Sequence, residues 1–149
     1  MRNLDSKSVE PQRRRERRGG AEELNRVSRG ILGAAIRVHR ALGPGLLESV
    51  YETCLAHELG RLNLPFRRQA PMPVFYQGLR IDNGYRLDLL VAQRIVVEVK
   101  AVQELLPVHE AQLLTYLRLS ECPLGLLLNF NVPILKDGIR RLANHLPDR

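Results

Sequence analysis

Tryptophan is absent and aromatic residues make up only 5% of the 149-residue chain. That argues against a stacking platform for single-stranded bases, where aromatic rings carry the contact. Cysteine is scarce: Cys54 and Cys122 stand far apart with no CxxC spacing. This excludes a disulfide framework and a thiolate zinc site, and suits free buried thiols in a reducing compartment. No apolar run approaches the ~20 residues of a membrane-spanning helix. The first residues lack the apolar core of a secretion signal, so a cytoplasmic protein is expected. His39, His57, His109 and His145 show no metal-ligand spacing with one another. No serine or cysteine occupies a nucleophile-elbow pattern, and no glycine-rich loop resembles a P-loop.

What remains is an ordinary globular composition, 44% hydrophobic and 26% charged, of a length that suits one domain. The net charge of +7 is unevenly spread. Residues 1–20 hold seven Arg/Lys against three Asp/Glu, a net +4, and residues 21–149 hold the other +3. Residues 1–20 are therefore expected to form a disordered basic tail, and residues 21–149 a single mildly basic domain. The tail is either a nucleic-acid-grasping arm or merely solvated.

From Ala21, Leu24, Val27, Ile31, Leu32, Ala35, Ile36 and Leu42 recur at helical spacing, and Gly43-Pro44-Gly45 ends the run. A second helix is expected over residues 46–62, with Leu47, Val50, Cys54, Leu55 and Leu59 inward. The period then changes to that of strands. Residues 66–76 read as an edge or irregular strand, because Pro71 and Pro73 cannot donate ladder bonds. Asp82-Asn83-Gly84 reads as a turn. Residues 85–91 and 95–101 form a predicted hairpin around Ala92-Gln93-Arg94. A helix over 108–119 opened by Pro107 and a strand over 124–130 follow. The chain ends in either a strand pair around Asp137-Gly138 or a short helix. This order suggests an α/β sandwich on a small mixed sheet.

The hairpin carries the chemistry. With a loop of residues 92–94, Val91 faces Ile95 and Asp88 lies directly opposite Glu98, their Cβ atoms about 4.5–5.5 Å apart. Facing carboxylates repel, and a divalent cation between them reverses the sign of that interaction. Alternation puts Lys100 on the face of Glu98 and sends Val97 and Val99 into the core. Two hard oxygen ligands suit Mg²⁺, which keeps waters and binds substrate phosphate. The metal would polarise phosphate while the lysine orients or activates the attacking water. A plain surface ion-pair cluster would present the same residue types.

Two helical sites join this set. Glu48 opens the second helix and shares a face with Tyr51, three residues on. It is either a third metal ligand or a charge compensating the helix dipole. On the third helix Gln112 and Tyr116 share a face, with His109 three residues before Gln112.

Asp88 followed by Glu98-Val99-Lys100 resembles the D…ExK core of the PD-(D/E)XK nuclease superfamily, with Leu87 where the name has proline. Gln112-Leu113-Leu114-Thr115-Tyr116 is similar to the QxxxY element of its RecB-like branch. Gly45-x-x-Glu48-x-x-Tyr51 resembles the bacterial GxxExxY protein family, generally placed in the same superfamily. The likeness spans residues 22–144. It implies a restriction-endonuclease-like αβ-sandwich, a central mixed β-sheet flanked by helices, and Mg²⁺-dependent phosphodiester hydrolysis, with Mn²⁺ as substitute. It makes Asp88 and Glu98 the metal ligands, Glu48 the helix carboxylate and a third ligand, and Lys100 the catalytic lysine. Gln112 and Tyr116 become the auxiliary pair, and Tyr51 and His109 are candidates for substrate binding.

The leading expectation is a metal-dependent nuclease acting on nucleic acid, DNA ahead of RNA, with no membrane association and a homodimer left open. One alternative keeps the nuclease scaffold but binds nucleic acid or a protein partner without turnover. Another is a structural α/β protein with a polar patch, in which Asp88 and Glu98 would point apart.

Overall fold

The computed structural model describes residues 12–145, apart from the side chains of residues 13–18. Helix α1 (Gln12–Leu42) starts well before the expected Ala21, so residues 12–20 are helical and not irregular. Arginine and glutamate are good helix formers, and extending an already packed helix needs no new nucleus. The carbonyl of Gly20 accepts a hydrogen bond from Arg94 Nη1 at 3.4 Å. Residues 1–11 of the basic tail lie outside the described residues.

Helix α2 (Glu48–Arg61) buries Tyr51, Leu55, Ala56 and Leu59. Two of the expected inward residues turn outward: Leu47 is 73% exposed, and Val50 is exposed as well. Leu47 is the N-cap rather than a helical residue, so the apolar face starts at Tyr51.

Five strands follow: β1 (Phe66–Tyr76), β2 (Leu79–Val91), β3 (Ile95–Lys100), β4 (Leu124–Asn129) and β5 (Ile139–Ala143). They form one sheet in that order, with only β3 and β4 parallel. The parallel pair requires a crossover, supplied by helix α3 (Pro107–Ser120). The C-terminal segment resolves into one 3₁₀ turn, Leu135–Gly138, and then β5.

The turn joining β1 to β2 is not at Asp82-Asn83-Gly84. It is at Gln77-Gly78, where both residues have positive φ, as the tightest hairpin loops require. Asp82-Asn83-Gly84 instead forms a bulge: Met72 pairs with Tyr85 and Val74 with Ile81, so three residues of β2 oppose Pro73 alone.

Both sheet faces are covered, which is why the central strands read as nearly continuous apolar runs. Helices α1 and α2 cover Leu89, Val91, Ile95, Val97, Val99, Leu126 and Leu128. Helix α3 covers Leu87, Leu90, Val96 and Leu127 through Leu113 and Leu117.

Candidate active site

Strand β2 meets β3 in the expected register, Leu89 with Val97 and Val91 with Ile95, which sets Asp88 against Glu98. Beyond Leu89 the two side chains replace the backbone ladder. The Asp88 amide donates to Glu98 Oε1 at 3.2 Å, and the Val99 amide donates to Asp88 Oδ2 at 2.9 Å. Strand alternation slips here: Leu87 and Leu90 both pack under α3, whereas Leu89 between them faces α1 and α2. Across from Asp88, Gln69 takes a φ of +47°. Asp88 therefore stands at a fork, where the β1–β2 ribbon leaves the rest of the sheet.

Glu98 is only 5% exposed. Burial first, and then the charge of Asp88, push its carboxyl up to about 9, while Lys100 pulls the other way. In the metal-free chain the pair thus holds a proton near neutrality, as closely spaced carboxyls do. Lys100 is half-buried, and among the described residues its ammonium makes no ion pair.

Helix α2 supplies one wall. Glu48 Oε1 accepts from the Ala101 amide at 3.2 Å, just past the end of β3. Glu52, one turn on and buried, accepts from Gln69 Nε2 at 2.6 Å and from Arg68 Nη2 at 3.0 Å. Gln69 Nε2 also reaches Asp88 Oδ1 at 3.3 Å and so ties Glu52 to the site. Glu48, Glu52, Gln69, Asp88 and Val99 line a cavity of about 280 Å³. The sequence reading missed Glu52 and Gln69; the i,i+4 spacing of Glu48 and Glu52 was the available signal for the first.

Helix α3 lies on the other face of the sheet. Gln112 Nε2 donates to the Tyr116 hydroxyl at 3.0 Å. Burial, then the charges of Glu98 and Asp88, raise the Tyr116 hydroxyl above its ordinary value. Tyr85, also missed, stacks on Tyr116 with ring centroids 4.9 Å apart.

A family model of the PD-(D/E)XK nuclease superfamily matches residues 25–142, a span that includes every residue of this cluster. The chain belongs to the PD-(D/E)XK nuclease superfamily. No curated protein and no solved structure matches it. The mixed five-stranded sheet between helices agrees with the restriction-endonuclease-like fold of this superfamily. PD-(D/E)XK proteins are generally nucleases that use divalent metal ions, which implies a nucleic-acid substrate. Among the described residues no helix is long and apolar enough to cross a membrane.

Two expected residues of this PD-(D/E)XK site lie elsewhere. Tyr51 is fully buried and stacked on Phe130, with centroids 4.5 Å apart. Its hydroxyl donates to the Gly43 carbonyl at 2.6 Å and accepts from the Leu46 amide at 3.1 Å, so it braces the loop before α2. In that loop Gly43 and Gly45 have φ of +69° and +103°, conformations costly for other residues. His109 Nδ1 accepts from the Leu106 amide at 2.9 Å, capping α3. It lines a different cavity, with Val102, Gln103, Glu104 and Leu106.

Among the described residues no three carboxylate, imidazole or thiol groups converge as a metal cage. Glu48 also lines the cavity, its Oε1 accepting from the Ala101 amide, and the two carboxyls that meet directly are those of Asp88 and Glu98. That pair still fits a hard cation. Two carboxyls crowd together and retain a proton that a divalent ion could replace, and Mg²⁺ needs only one or two carboxylates beside water and phosphate.

Proposed function

We propose that this protein is a cytoplasmic, Mg²⁺-dependent nuclease of the GxxExxY branch that hydrolyses phosphodiester bonds in DNA. The observation that carries this reading is the meeting of Asp88 and Glu98 at the fork, beside an ammonium without an ion pair. When bound by these two carboxylates, a divalent ion supplies Lewis-acid polarisation of the scissile phosphate.

The residues of the chain do the rest. Lys100 orients the attacking water and stabilises charge gathering on the phosphoryl oxygens as the new P–O bond forms and the leaving P–O bond breaks. The Tyr116 hydroxyl, already accepting from Gln112, is free to donate to a phosphate oxygen. Gln69 restrains Asp88, and Glu48 holds the strand end just past Lys100.

The test is cleavage of labelled DNA and RNA with and without Mg²⁺. Asp88→Ala, Glu98→Ala and Lys100→Ala should each abolish Mg²⁺-dependent cleavage while leaving the chain folded. Full activity in any of them, or in excess chelator, overturns the reading. One observation favours a second reading, binding without turnover: among the described residues no three carboxylate, imidazole or thiol groups converge as a metal cage. Duplex binding with no cleavage in Mg²⁺ or Mn²⁺, unchanged by Asp88→Ala, would support it.

A further inference from the structure

Beyond the fork, β2 pairs only with β1, and the two strands run out as a ribbon. The rung Met72–Tyr85 still packs under α3, through partly buried side chains. From there four β1 steps of ~3.3 Å carry the ribbon roughly 13 Å to Tyr76, just before the turn at Gln77-Gly78. The tip is unusually apolar for a solvent-facing element. Tyr76 is 62% exposed, Leu79 58% and Ile81 43%. Register sets Val74 across from Ile81 and Tyr76 across from Leu79, so these four share one face. Phe75, 65% exposed, lies on the other face under Arg80, whose guanidinium is 5.4 Å from the ring centroid. Such a patch on a two-stranded ribbon marks an interaction surface.

We propose that this ribbon is a groove-reading arm that docks double-stranded DNA and delivers it to the carboxylates at its root; the proposal rests on the nuclease reading above. Charge favours a polyanion over a second copy of the chain. Past the fork the ribbon carries Arg80 and Arg86 against Asp82. Arg80 is paired with Asp82, while Arg86 has no ion pair among the described residues. Two such ribbons brought together would face like charge. Pro71 and Pro73 also blunt the open edge of β1 against pairing with another strand.

Dimensions favour B-form DNA over RNA. The B-DNA major groove, about 12 Å wide and about 8.5 Å deep, admits a two-stranded ribbon, and thymine methyls there give the apolar face a partner. The A-form RNA major groove is deep and too narrow for side-chain readout.

The test measures affinity by fluorescence anisotropy in chelator, using the full chain, a labelled DNA duplex and the RNA duplex of matching sequence. The wild type should prefer DNA. Tyr76→Ser/Leu79→Ser should weaken DNA binding about tenfold or more and erase that preference. Arg86→Ala should lower the slope of log affinity against log salt by about one. Equal DNA affinity in the wild type and the Tyr76→Ser/Leu79→Ser variant overturns the proposal, as does a preference for RNA. So does a wild-type dimer, seen by light scattering, that Tyr76→Ser/Leu79→Ser dissociates. Cleavage by the wild type in Mg²⁺ is read in parallel. Cleavage with arm-independent binding removes only the arm, and arm-dependent binding without cleavage removes only the nuclease.

Discussion

Replacing Glu98 by glutamine should make the metal-free protein more stable while destroying its activity. Glu98 is buried, and its carboxyl is raised from an ordinary value of 4.5 to about 9 by burial and then by Asp88. The folded chain therefore holds one proton more than the unfolded chain between those two values. Stability falls as pH rises through that window, by about 1.4 kcal/mol per pH unit. At about pH 7 the accumulated cost is about 3 kcal/mol, and it vanishes near the lower end of the window. Glutamine resembles the protonated acid: its oxygen still accepts from the Asp88 amide, and it has no proton to lose. In chelator the Glu98→Gln variant should match the wild type near the acid end and melt roughly 6–12 °C higher at about pH 7. Mg²⁺ should raise the melting temperature of the wild type and leave that of the variant nearly unchanged. Thermal denaturation across the pH range reads both effects. Parallel pH curves for the two proteins, or a variant less stable at neutral pH, would refute the account.

Two further outcomes concern the tyrosines of α2 and α3. Tyr51→Phe strips the Gly43 carbonyl and the Leu46 amide of their shared partner and should cost about 2–3 kcal/mol in denaturant unfolding. Tyr116→Phe keeps the stack on Tyr85 but removes the hydroxyl. Cleavage should then fall on the order of 10²-fold, with a melting curve unchanged from the wild type.

The β2–β3 register was legible because the short loop Ala92-Gln93-Arg94 joins the two runs, and loop length fixes which residues pair. The slip at Asp88 was not legible, since it sits across from a left-handed backbone conformation at Gln69 on another strand. The β1–β2 turn was misplaced for a related reason. Gln77-Gly78 and Asn83-Gly84 both carry positive-φ chemistry, and only pairing across the ribbon distinguishes a turn from a bulge. Tyr51 and His109 are polar residues near the site in sequence, and local spacing cannot reveal that the Tyr51 hydroxyl and His109 Nδ1 are engaged by nearby backbone. Glu52 and Gln69 meet only because α2 lies over the start of the ribbon.

The tyrosine that braces the loop before α2 also explains a spacing. Gly45 bends the chain, Tyr51 clamps that bend from one helical turn inside, and Glu48 begins the helix between them with its carboxylate aimed at Ala101. The three residues work as a single bracket: two set an angle, and the third is what the angle points. Moving the acid by one place along α2 would turn it about 100° around the helix axis, away from the Ala101 amide, without changing a single charge.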